Sequence, residues 1–164
     1  KVEMSDDDWR ELIEITDKWF DEDISFSALR VGILPPIGKD FIDNTAAFTA
    51  YFFNGQVLPQ SNDLDWSIEI GEDAHLILQL FKRGHSNRVW DKFVFHQKEY
   101  ADGGCNTYRT SKVINDCHQQ LIDAHPDYVK HNGTKKTFNG EETIKLKMKW
   151  KQAYLDSQIG KLPV

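Results

Sequence analysis

The chain has 164 residues and a net charge of −6, enough length for one full hydrophobic core and little for two. Hydrophobic residues make up 40% and aromatic residues 12%, which excludes an intrinsically disordered chain. No apolar run approaches the roughly 18 residues of a membrane span and no signal peptide opens the sequence. A single globular domain over 1–164, cytoplasmic and without a membrane partner, is therefore expected.

The charge is unevenly placed. Residues 1–75 carry 17 acids against 5 bases, and residues 76–164 carry 9 acids against 15 bases. Such asymmetry speaks to association rather than to fold.

Ser5-Asp6-Asp7-Asp8 has the pattern of a capping box and places acids at the positive end of a helix. Trp9, Leu12, Ile13, Thr16, Trp19 and Phe20 then recur at three- and four-residue steps, which predicts an amphipathic helix ending within Asp21-Glu22-Asp23. Its opposite face carries Asp7, Glu11, Glu14, Lys18 and Asp21. Ile24 to Leu34 suits a short strand, and Pro35-Pro36 breaks it. Residues 39–53 fit either a helix or a strand. The preferred assignment is a strand, an Asn54-Gly55 hairpin turn and a second strand at Gln56–Leu58.

Trp66–Ile70, Leu76–Phe81 and Arg88–Phe95 are separated by short polar turns and predict an antiparallel meander. Residues 101–106 are expected to form a loop, and Thr110 or Ser111 to start a second helix that stops near His125, before Pro126. Residues 130–140 predict a loop or loose hairpin, with the glycosylation-like Asn132-Gly133-Thr134 taken as a turn. Ile144, Leu146, Met148 and Trp150 alternate with Lys145, Lys147, Lys149 and Lys151, so 143–151 is assigned to a strand, with a short closing helix over 152–158. The expected class is α+β: an antiparallel sheet of four to six strands, with the N-terminal helix and the 111–125 helix packed on it. Trp9, Leu12, Trp19, Ile68, Leu78, Leu80, Trp90, Phe93, Val113 and Leu121 are expected in the core.

Phosphate-loop, dinucleotide, zinc-protease and nucleophile-elbow motifs are all missing, so neither a cofactor nor an enzymatic activity is expected. With two cysteines, reduced thiols are expected over a disulfide closing 105–117. The weak chemical candidates are Cys105 as a nucleophile with His96 or His118, an acid–base pair of His96 and Glu99, and a zinc set of Cys105, Cys117, His118 and His125.

Two charged surfaces carry more weight. Asp7, Glu11, Glu14, Asp21, Glu22 and Asp23 would offer a basic protein partner a negative face. Lys145, Lys147, Lys149 and Lys151 would form a ridge for phosphates or nucleic acid, although a net charge of −6 disfavours that partner. An acidic single domain without catalytic motifs is similar in profile to the bacterial immunity proteins that neutralise nuclease toxins. That likeness is one of composition and assigns no residue a role. The expected function is a small acidic protein-binding domain, with nucleic-acid binding and an unrecognised His/Glu/Cys enzyme as alternatives.

Overall fold

The computed structural model describes residues 3–32, 37–57, 63–96, 108–137 and 140–159. Ser5 caps the first helix, α1 (Asp6–Asp21). The Asp8 amide donates to Ser5 Oγ at 3.2 Å and the Ser5 amide donates to the Asp8 carboxylate at 2.9 Å. This reciprocal box satisfies two amides that a helix start leaves without partners. Leu12, Thr16 and Trp19 form the buried stripe of α1, while Trp9, expected in the core, is 46% exposed.

The main sheet contains β1 (Phe26–Val31), β2 (Phe41–Asp43), β3 (Tyr51–Phe53) and β4 (Asn87–Phe95), in the order β2-β4-β1-β3. β3 pairs antiparallel with β1, and β2 antiparallel with β4. The central pair, β1 and β4, is parallel, which corrects the expectation of a purely antiparallel sheet. A parallel pair needs a long crossover and is covered on both faces. Accordingly Phe26, Ser27, Ala28 and Leu29 are all buried.

The two faces separate the core. Leu29, Trp90 and Phe93 join Leu12 and Trp19 of α1 in one cluster. Phe26, Ala28 and Val89 face the other way, onto a larger cluster. Each fully buried Leu, Ile or Phe in these clusters is worth roughly 1.5–3 kcal/mol in apolar transfer. Trp90 also donates its indole N–H to Thr16 Oγ1 at 3.1 Å, so the polar end of a buried ring is satisfied by the helix above it.

The larger cluster rests on α2 (Glu72–Lys82), where a strand was expected at Leu76–Phe81. Ala74 through Phe81 are all buried. A segment covered on every side shows no period, so its apolar run reads equally as strand or helix. Gly71, at φ +89°, turns the chain into this helix, and Glu72 and Asp73 suit its positive end. Ile68 and Ile70 are buried, in step with their alternation, yet 66–70 joins no sheet, so the expected meander is absent. The expected strand after Asn54-Gly55 is also absent. Gln56 and Val57 lie in a turn closed by bonds to Asn54, and Leu58 is outside the described residues.

α3 (Ser111–Ala124) is capped by Thr110 and runs to His125. It leads into a two-stranded antiparallel hairpin, β5 (Val129–Lys136) with β6 (Glu142–Met148), and α4 (Trp150–Gln158) closes the described chain. Asn132 and Gly133 form a bulge inside β5, with Gly133 at φ +79°, where a turn was expected. β6 ends at Met148, so Trp150 and Lys151 belong to α4 and not to the predicted strand. The α+β class is as expected, with four helices, a four-stranded sheet and a two-stranded one among the described residues. None of those helices is long and apolar enough to cross a membrane.

Candidate functional site

The exposed side of α1 divides into two parts. On the flank toward β4, Glu11 takes a short ion pair from Lys92, and Glu22 lies 3.3 Å from Arg88. Arg88 also holds Asp43 at 2.7 Å and stacks over Phe41. Asp7 pairs with Arg10 one turn on, at 3.0 Å. Asp23 sits past the helix at φ +66°, its carbonyl accepting from Ser86. Of the six acids assigned to a partner surface, then, Asp7, Glu11 and Glu22 already have cations of their own.

The other flank is free. Trp9, Ile13, Asp17 and Asp21 follow one another at four-residue steps, so they form a single stripe along the helix. Trp9 is 46% and Ile13 52% exposed. Among the described residues, Glu14, Asp17 and Asp21 are exposed and make no ion pair. The stripe spans about 18 Å at the rise of an α-helix. Asp17 was not among the predicted residues, and the exposure of Trp9 and Ile13 was hidden by their apolar character.

Lys145 and Lys147 are exposed on the outer side of β6, Lys149 is exposed at the start of α4 just past the strand, and Lys151 is exposed on α4. The outer edge of β6 is covered at Ile144. Asn115 Oδ1 accepts from the Ile144 amide at 2.7 Å, and His118 Nδ1 lies 2.7 Å from the Ile144 carbonyl. At this residue, side chains of α3 take the place of a neighbouring strand. The carbonyl contact identifies Nδ1–H as the donor, and burial lowers the pKa of His118.

A further cluster contains one member of the candidate zinc set, His125, with partners that the sequence reading did not name. His75, at the start of α2, and His125, capping α3, are 4% and 2% exposed. Their Nδ1 and Nε2 atoms are 2.8 Å apart. His75 Nε2 lies 3.2 Å from the Asp65 carboxylate, close but outside hydrogen-bond geometry. The carboxylate favours a proton on Nε2 of His75, so its Nδ1 accepts from His125 Nε2–H. Gln79 clamps the backbone of Asp65, donating to its carbonyl at 2.8 Å and accepting from its amide at 2.7 Å. Burial, then the nearby Lys82 ammonium and His75, push the His125 pKa down to about 4. These groups line an open cavity of about 420 Å³ with Lys82 and Arg83. The hydrogen bond between the two rings joins α2 to the end of α3. Fifty residues separate the two histidines, and no motif announces them.

The proposed zinc set does not assemble around its described members. Cys117 is a buried free thiol in the core, His118 faces Ile144 and His125 faces His75. Among the described residues, no group of three or more His, Cys, Asp or Glu side chains could hold a metal. His96 is exposed and its ring packs over Gly32, while Glu99 and Cys105 lie outside the described residues. Comparison of the chain with protein families, characterised proteins and solved structures gave no match.

Proposed function

We propose that this is a small acidic protein-binding domain that docks a basic protein through the free flank of α1, in the manner of an immunity-type inhibitor masking a nuclease toxin. One observation carries this reading: Trp9 and Ile13 are exposed in line with Asp17 and Asp21, beside Glu14. Large apolar side chains next to unpaired charges are the combination that anchors and orients a partner. The aromatic group supplies the desolvated contact, and the acids raise the encounter rate and reject acidic competitors. Glu11 and Glu22 contribute less, because binding would have to compete with Lys92 and Arg88.

The test uses the protein as bait in lysate of its source at low salt. Three forms are compared: wild type, Trp9→Ala, and Glu14→Lys/Asp17→Lys/Asp21→Lys. A basic protein retained by the wild type and lost from both variants supports the proposal. Equal retention by all three sinks it.

A further inference from the structure

The β5–β6 hairpin carries more positive charge than its own stability explains. Residues 129–149 hold six lysines and two glutamates, a local net of +4 in a chain of net −6. The register sets Lys130 directly opposite Lys147, an arrangement of like charges that destabilises a strand pair. Lys145 lies two residues before Lys147 on β6 and so shares its face, and Lys149 is exposed just past the strand end. Lys135 joins them, since it faces Thr143 across the pair. All five lysines are exposed, and among the described residues none forms an ion pair. The Lys130 ammonium donates only to the Pro126 carbonyl.

Lysines on a strand commonly protect an open edge. That explanation serves β5, which among the described residues pairs with no strand other than β6. It does not serve Lys145, because Asn115 and His118 already occupy the far edge of β6 beside it, at Ile144, and Lys149 lies past the end of the strand. A second observation lies at the end of the ridge. Trp150 follows Lys149 directly, and its ring meets that of Phe48 edge-on at 6.0 Å. Phe48 is 40% exposed and Trp150 half-buried. Cations spaced along and just beyond a strand, ending at an exposed Phe48 backed by a half-buried Trp150, match a charged backbone whose bases are free to stack. A duplex would satisfy the lysines but keep its base faces covered.

We infer that the outer face of this hairpin binds single-stranded nucleic acid. Lys130, Lys145, Lys147 and Lys149 contact phosphates, and Phe48 with Trp150 offers a stacking surface for a base. This surface is separate from the α1 stripe, which belongs to the other side of the main sheet, so either can fail without the other.

The experiment is fluorescence anisotropy of a labelled oligothymidylate of about 20 nucleotides, titrated with the full chain between about 25 and 200 mM salt. Four phosphate contacts predict a slope of log K against log salt of roughly −3, since single strands contribute about −0.7 per contact. Lys145→Glu/Lys147→Glu/Lys149→Glu should reduce that slope by about 2. Phe48→Ala should weaken binding on the order of tenfold and leave the slope unchanged. Lys130→Gln/Lys135→Gln, on the open-edged strand, provides a milder second variant, and circular dichroism confirms the fold of each. The inference is overturned by absence of binding at low salt, by affinity unaffected in the lysine variants, by a duplex of equal length binding more tightly, or by polyglutamate competing as well as the oligonucleotide.

Discussion

Acid should weaken this protein mainly through His125. The ring is buried at the junction of α2 and α3, and its pKa falls to about 4 from an ordinary 6.5. Between those values the unfolded chain binds a proton that the folded one does not, so stability declines as pH falls through the window. The whole gap corresponds to about 3 kcal/mol at ~1.36 kcal/mol per pH unit. Most of it develops below pH 6.5, and the loss between pH 7 and pH 5 is about 2 kcal/mol. His118, lowered by burial too, acts in the same direction. Urea unfolding at both pH values, on wild type and His125→Gln, isolates the contribution. Glutamine can still donate an N–H to His75 but does not titrate. The wild type should lose about 2 kcal/mol more than the variant over this interval. Equal losses would refute the assignment of the effect to His125.

Three further outcomes follow from the packing. Thr16→Val leaves the buried Trp90 indole N–H without its acceptor and should cost about 1–3 kcal/mol in chemical denaturation; no measurable change would show that the bond carries no net stability. Asp91→Ala removes a buried carboxylate 2.7 Å from the Arg30 guanidinium and the acceptor of the Ile37 amide, so a loss of about 3–5 kcal/mol is expected, read as a lower midpoint in a urea titration. Gly71→Ala places a Cβ 2.7 Å from Leu121 Cδ1 at φ +89°, and a drop in melting temperature corresponding to about 1–3 kcal/mol should result; a melting temperature unchanged from wild type would contradict the strain.

Local chemistry was legible wherever it acts locally. The capping box at Ser5 and Asp8, the Thr110 cap and the alternation through β6 all depend on neighbours within a few residues. What depends on distant neighbours was hidden. α2 lost its helical signature because it is surrounded on every side. The hidden part of the candidate site has the same cause. Arg88 and Lys92 divide the acidic face of α1 from a strand more than 60 residues away in sequence, and nothing in α1 itself shows which acids they take. Trp9 and Ile13 match the helical period of a core residue as well as that of an exposed anchor, and the sequence of α1 alone does not separate the two.

The parallel pairing of β1 with β4 also has a consequence during synthesis. Phe26 meets Asn87, 61 residues later. At roughly 5–20 residues per second, β1 leaves the ribosome several seconds before the strand that will flank it exists. In that interval its buried run, Phe26 to Leu29, has only β3 to pair with on one side. Contacts closed over such distances form late and slowly. The nascent chain is therefore most exposed to aggregation and to chaperone capture once β1 is out, and that exposure ends when β4 arrives.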